Sequence, residues 1–234
     1  MSHHVLVVGI DGRMGRFARS WLGEHAPDLI VGEGARRGDD LTEIIRDQRP
    51  AVGLDLTVAG SGARHAATFL EAGVPVVIGT SGVTLEEEAG LHEMALASRV
   101  AALVVPNFSL GVLLQQRMAE LAAPHMPGVE IIEEHHPGKR DAPSGTAIDT
   151  RHRITRASGA GERDVPIHSV RLEGLHSNQD VVFGGPGETL RISHRTHGLE
   201  AFGPGLIASL RYVLEAKPGA RRGLDHVLLP VAGS

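Results

Sequence analysis

Val5-Leu6-Val7-Val8-Gly9-Ile10-Asp11-Gly12-Arg13-Met14-Gly15 is the stretch that decides the fold. Four apolar residues in an unbroken run suit a strand buried on both faces. The run ends in glycine, and from Arg13 to His25 the residues Met14, Phe17, Ala18, Trp21 and Leu22 recur at helical spacing. A buried strand passing into an amphipathic helix through a glycine turn is the opening unit of a parallel sheet. Glycines three apart let the chain turn tightly, let backbone approach a pyrophosphate and let helix pack close on strand. The helix start then offers its N–H groups to the anion. Gly9, Gly12 and Gly15, with Arg13 and Met14 between them, are therefore candidate dinucleotide-binding residues; the alternative is a tight structural turn.

The same rhythm continues outward. Strands are expected at Leu29–Gly32, Val52–Thr57, Val74–Thr80 and Ala101–Val105, with helices at Leu41–Asp47, Ala63–Glu71 and Leu85–Ser98. Regular alternation with short loops predicts an α/β, Rossmann-like doubly wound parallel sheet. After Pro106 the pattern changes. A helix over Leu110–Ala123, a strand over Val129–Glu134 and a helix over Ala147–Ala157 precede period-two stretches at Ile167–Leu172, Asp180–Phe183 and Thr189–His194. Glycine-bearing turns between these stretches point to a mixed or antiparallel sheet and so to a second, α+β domain. The helical stretch Pro204–Glu215 and the tail Leu224–Leu229 are expected to return to the first domain. The division is thus 1–106 with 203–234 for the dinucleotide-binding domain, and 107–202 for the second domain.

Composition narrows the function classes. The chain has 234 residues, a net charge of −5, seven residues that are Phe, Trp or Tyr, 30 Gly and no Cys. That balance argues against nucleic acid or an anionic membrane as partner, and against base-stacking platforms. Without cysteine there is no disulfide, thiolate metal site or cysteine nucleophile. The N-terminus turns polar soon after Val8, unlike a signal peptide or membrane span, so a cytoplasmic protein is expected. Of 23 basic residues, 21 are Arg; the only lysines are Lys139 and Lys217.

About twenty residues beyond the glycine turn, an acidic side chain would select NAD, and basic ones would select NADP through its 2′-phosphate. The chain reads Gly32-Glu33-Gly34-Ala35-Arg36-Arg37 there. Arg36 and Arg37 suit NADPH; Glu33 keeps NADH as the alternative. Two loops at carboxyl ends of strands, Thr57–Gly62 and Gly79–Gly82, add Thr57, Gly79, Thr80 and Ser81 as candidates for contact with the nicotinamide ribose and carboxamide.

Glu133-Glu134-His135-His136-Pro137-Gly138-Lys139-Arg140-Asp141-Ala142-Pro143-Ser144-Gly145-Thr146-Ala147 is the densest chemistry in the chain. A histidine suits proton transfer, and a lysine is a compact ammonium in a chain that otherwise uses arginine. Ser144, Gly145 and Thr146 begin a helix that can receive a carboxylate, with Ser144 equally suited to cap it. Adjacent residues on a strand face opposite ways, so His135 and His136 do not make a shared metal site, and no metal is expected. His3, His4, His65, His92 and His152 lack partners in sequence and read as surface or capped residues.

The segment closely resembles the signature of the dihydrodipicolinate reductase family. Gly9–Gly15, Asp55-Leu56-Thr57, Gly79-Thr80-Ser81-Gly82 and Pro106-Asn107-Phe108-Ser109-x-Gly111-Val112 follow in family order, so the resemblance covers nearly the whole chain. It implies an NAD(P)H-dependent reductase of lysine and diaminopimelate synthesis, acting on a small cyclic dicarboxylate as a homotetramer. It implies His135 as proton donor and Lys139 as second catalytic group. His136, Lys139, Gly145 and Thr146 match residues that hold the substrate carboxylates. Asn107 and Phe108 join the cofactor-binding set.

The chain also departs from the family. Ser177-Asn178-Gln179 stands where Gly-Glu-His is expected, the region past His194 reads Gly198-Leu199-Glu200 without the usual Arg, and Val58-Ala59-Gly60 replaces a proline-bearing loop. These departures set two alternatives beside the main reading: a divergent paralogue reducing a related cyclic imine or unsaturated ring in another pathway, and a non-catalytic NADP-binding sensor or partner protein.

Overall fold

The computed structural model describes residues 2–159 and 164–228. The chain divides after Phe108 and again before Phe202 into two compact units.

In the first unit, strands β1 (His3–Val8), β2 (Leu29–Val31), β3 (Val52–Asp55), β4 (Val76–Ile78) and β5 (Ala101–Val104) alternate with helices α1 (Arg13–His25), α2 (Leu41–Gln48), α3 (Gly62–Glu71) and α4 (Leu85–Ser98). With β10 (Gly219–Arg222) they make a six-stranded sheet in the order β10-β5-β4-β3-β1-β2, every neighbouring pair parallel. Strands β1 and β3 are neighbours although β2 lies between them in sequence, so the winding reverses there and opens a crevice at their carboxyl ends. Val5, Leu6, Val7, Leu54, Val76 and Val77 are fully buried, which is why these strands read as unbroken apolar runs. Gly53 keeps its place because a Cβ there would stand 2.6 Å from the Phe69 ring.

The first unit differs from the sequence expectation in two places. β4 is shorter than Val74–Thr80, and at its approach Pro75 contributes only its carbonyl, which accepts from Gly53 N at 2.8 Å. β10 was not expected at all, because Gly-Ala-Arg-Arg carries no apolar pattern. It pairs with β5 at the sheet edge, where Arg222 reaches Glu88 at 2.6 Å. Helix α7 (Gly203–Glu215) and the short α8 (Asp225–Leu228) complete this unit; Leu229 lies outside the described residues.

In the second unit, α5 (Leu110–Ala122), β6 (Gly128–His135), α6 (Gly145–Ala157), β7 (Ile167–Arg171), β8 (Ser177–Gly185) and β9 (Glu188–His194) form a mixed sheet ordered β7-β6-β8-β9. β6 and β7 are parallel; β6–β8 and β8–β9 are antiparallel. Ile131, Val181, Phe183 and Ile192 meet Ala119, Ala147 and Ile154 in its core. β8 begins three residues earlier than expected because Asn178, Gln179 and Asp180 are all buried, breaking the alternation. Each makes at least one side-chain hydrogen bond, although Gln179 Oε1 is buried without a partner.

Candidate active site

The first cluster lies at the carboxyl ends of β1 and β3, around a cavity of about 820 Å³. Gly9 has φ +85°, and a Cβ on it would come within 2.8 Å of the Leu56 carbonyl. A Cβ on Gly15 would run into the Gly9 carbonyl, and one on Gly12 would lie 3.1 Å from it. The turn therefore requires glycine at its first and third positions. α1 starts here with Gly12 as N-cap, without a side-chain cap or an acid in its first turn. Its positive end is left for an anion. These features fit a dinucleotide: Gly9, Gly12, Arg13 and Met14 line the cavity, while Gly15 packs helix on strand.

Arg36 and Arg37 line the same cavity; among the described residues that line it, Glu33 is absent. Arg36 Nε pairs with Asp11 at 2.8 Å. Thr57 lines the far side, its Oγ donating to Asp55 at 2.7 Å and its N–H to Thr80 Oγ1 at 2.9 Å. Thr80 thus supports Thr57 from behind. His65, which sequence reading left without a partner, lines the cavity and approaches the buried Asp55 carboxylate at 3.2 Å. Gly79 and Phe108 are placed differently from the rest: they pack on each other, a Cβ on Gly79 falling 2.6 Å from the Phe108 ring. The half-buried Ser81 accepts from Gly60 N through its carbonyl, and Asn107 is half-buried ahead of Phe108.

The second cluster is built by strand register. On β6, Glu133 and His135 are two residues apart and share a buried face. Parallel pairing sets Arg171 of β7 beside His135, and antiparallel pairing sets Ser177 of β8 on its other side. Glu133 accepts from His135 Nδ1 at 2.5 Å, from Arg171 Nη1 and Nη2 at 2.9 and 2.8 Å, and from Ser144 N at 3.2 Å. His135 Nε2 lies 3.2 Å from Ser177 Oγ. Burial works to raise the Glu133 carboxyl, but hydrogen bonds from Arg171, Ser169 and His135 outweigh it and hold the group below its ordinary range. Burial pushes the His135 imidazole down; Glu133 opposes this, while Lys139 and Arg171 add to it. The balance favours the neutral ring over the imidazolium.

Lys139 Nζ bonds both oxygens of Asp141, at 2.9 and 2.8 Å, leaving one of its three donors. Ser144, buried, is the N-cap of α6, its Oγ accepting from Ala147 N at 3.2 Å. Gly145 and Thr146 follow, half-buried, in a first turn without an acid. His136, the residue after β6, is half-buried, its ring beside Gly138. Among the described residues, no group of three or more His, Asp or Glu could hold a metal ion, and no helix is long and apolar enough to cross a membrane.

Gln179 is not part of this constellation. Its amide donates to Gln115 Oε1 and Thr150 Oγ1, both at 3.0 Å, in a buried node linking β8 to α5 and α6. The departure there is a packing feature. Leu199 falls in a single 3-10 turn, Leu199–Phe202.

Comparison with known proteins gives the family. Family models described as "Dihydrodipicolinate reductase, N-terminus" and "Dihydrodipicolinate reductase, C-terminus" match residues 3–108 and 111–228. The chain belongs to the dihydrodipicolinate reductase family. It is accordingly an NAD(P)H-dependent oxidoreductase. The 4-hydroxy-tetrahydrodipicolinate reductase of Moorella thermoacetica is 38% identical over 260 residues, spanning 96% of this chain and 97% of the relative. That of Coxiella burnetii is 39% identical over 228 residues, with 92% and 95% covered. A dipicolinate-bound dihydrodipicolinate reductase from Paenisporosarcina sp. TG-14 superposes with a TM-score of 0.79 at 30% identity, covering 97% of this chain and all of that one.

Sequence reasoning missed Arg171 and Ser177 and gave Glu133 no role. Glu133-x-His135 was readable as a same-face pair. Arg171 and Ser177 had no local signal, because only the pairing of β6 with two later strands brings them in.

Proposed function

We propose that the protein reduces 4-hydroxy-tetrahydrodipicolinate to tetrahydrodipicolinate at the expense of NADPH, with NADH as the alternative donor, in lysine and diaminopimelate synthesis. The observation that carries this reading is one short segment holding a buried imidazole, an ammonium and a helix start free of acids. That set suits a small dianion needing one proton. In the balanced reaction water leaves the 4-hydroxy ring, bound NAD(P)H supplies a hydride, and one proton is added.

The residues then divide the work. Gly145 and Thr146 at the start of α6 receive one carboxylate, and His136 and Lys139 hold the other, Lys139 using its remaining donor or exchanging Asp141 for the substrate. His135 delivers the proton from Nε2, the nitrogen not engaged by Glu133. Gly9, Gly12, Arg13 and Met14 hold the pyrophosphate side of the nucleotide, and Thr57 the ribose side. Arg36 and Arg37 receive the 2′-phosphate, supported by their place on the cavity wall and the absence of Glu33 from it. Thus the first unit serves the nucleotide and the second the substrate, the division falling two residues later than 106 and one earlier than 203. Val170, Leu172 and Leu190, exposed in and just beyond the second unit's strands, offer apolar surface for a homotetramer, which we place in the cytoplasm.

The test is NADPH oxidation followed at the nicotinamide absorbance with 4-hydroxy-tetrahydrodipicolinate supplied. Turnover is expected. A folded protein that binds NADPH yet leaves this substrate untouched would favour the divergent reductase or the non-catalytic binder.

A further inference from the structure

We infer that the buried Glu133–Arg171 pair is the positioning device for His135, fixing which ring nitrogen carries the proton and confining proton transfer to Nε2. The inference rests on the role proposed for His135.

The place of Glu133 is the first argument. Val129 and Ile131 precede it on the same inward face of β6, so packing alone calls for a third apolar residue. A fully buried carboxylate is costly unless several donors meet it. Here a guanidinium fork, an imidazole and a backbone N–H all do.

Arg171 is the second argument. Its Nε donates to the Lys139 carbonyl at 3.2 Å. Nη1 donates to Glu133 Oε2 and the Val170 carbonyl, and Nη2 to Glu133 Oε1 and the Asp141 carbonyl. All five N–H groups of the guanidinium are therefore engaged. One side chain fixes Glu133 and also the backbone on either side of Arg140. With Ser144 N on Glu133, the same pair holds His135, the Lys139 loop and the start of α6 in one frame.

The chemistry follows from what a carboxylate can do. An ionised Glu133 only accepts, so His135 Nδ1 must carry hydrogen. In the neutral ring Nε2 is then the bare nitrogen, and Ser177 Oγ at 3.2 Å can donate to it. The charged groups acting on His135 are Glu133 on its own strand, Arg171 on β7 and Lys139 in the following loop. Only Glu133 favours the imidazolium, the form that gives up a proton.

Two experiments on the full-length protein test this. In wild-type protein with ¹⁵N-labelled histidine, the His135 resonances are assigned by their loss in His135→Ala. Neutral His135 should then show a protonated Nδ1 and a bare Nε2; the opposite tautomer, or a mixture of the two, would overturn the proposal. In Glu133→Gln, the basic limb of the kcat profile should move to lower pH by about one to two units, the usual effect of an opposite charge beside a titrating group. KM for NADPH should stay constant, because the nucleotide cluster is untouched. An unmoved limb with a lowered Tm would reduce Glu133 to a structural part. The tautomer measurement decides even if Glu133→Gln fails to fold. It also decides if wild type proves inactive on the proposed substrate, which separates failure of this inference from failure of the functional reading.

Discussion

The two clusters are built by opposite means. The cavity proposed for the nucleotide is made by backbone: a positive-φ glycine, glycines that exclude a Cβ, and an uncapped helix start. Its side chains are mostly at the rim, and the Arg36–Asp11 pair is half or more exposed. The His135 cluster is made by side chains in a closed hydrogen-bond network, with Glu133 fully buried at its centre. Shape made by backbone fails when a carbon is added. A network fails when a charge or a donor is removed.

Substitutions can break that contrast in order of expected effect. His135→Ala or Lys139→Ala should lower kcat by about 10²–10⁴-fold, the span of a lost acid–base group, with NADPH affinity in direct titration nearly unchanged. Equal loss of nucleotide affinity would end the division of labour. Gly15→Ala should act the other way, weakening NADPH binding by about tenfold or more as overpacking shifts the turn by ~1–3 kcal/mol, while the second unit's network stays intact. Replacing Arg36 and Arg37 by Ala should weaken NADPH about tenfold, at the exposed-site end of charge-assisted bonds, and NADH much less. Equal loss for both nucleotides would remove the 2′-phosphate assignment.

The smallest effect is a slope. His135 and His194 are held below their ordinary pKa by burial, His194 further by Arg195 and His197. Asp180 is also lowered: burial acts against this, but Arg195, Ser193 and Arg191 prevail. Glu133 behaves alike. Each binds fewer protons folded than unfolded, so stability is full above the unfolded pKa and is lost as pH falls. Tm should be level near pH 8, decline as pH drops below the ordinary histidine value of 6.5, and decline again through the carboxylate range. A Tm that rises on acidification would contradict the network.

The same contrast explains what the sequence disclosed. Gly9–Gly15 was legible because strand, turn and helix are contiguous, and each glycine answers a local demand. His135, Lys139 and Gly145 were legible because one loop carries them. Arg171 was not, since its role comes from a parallel pairing with a strand more than thirty residues earlier. β10 escaped because an edge strand of Gly-Ala-Arg-Arg has no apolar face to announce it. The polar start of β8 escaped because Asn178, Gln179 and Asp180 are buried through specific bonds, which hydrophobic periodicity cannot register. Gln179 is one of these, bonded to Gln115 and Thr150.

The central claim is that nucleotide and dicarboxylate are held by these two separately built clusters. A crystal structure with NADPH and pyridine-2,6-dicarboxylate tests it most directly. The account predicts the pyrophosphate on the Gly9–Gly15 turn, one carboxylate at Gly145 and Thr146, the other on His136 and Lys139, and His135 presenting Nε2 to the ring. A dicarboxylate bound away from the start of α6, or His135 facing it through Nδ1 with Glu133 released, would contradict it.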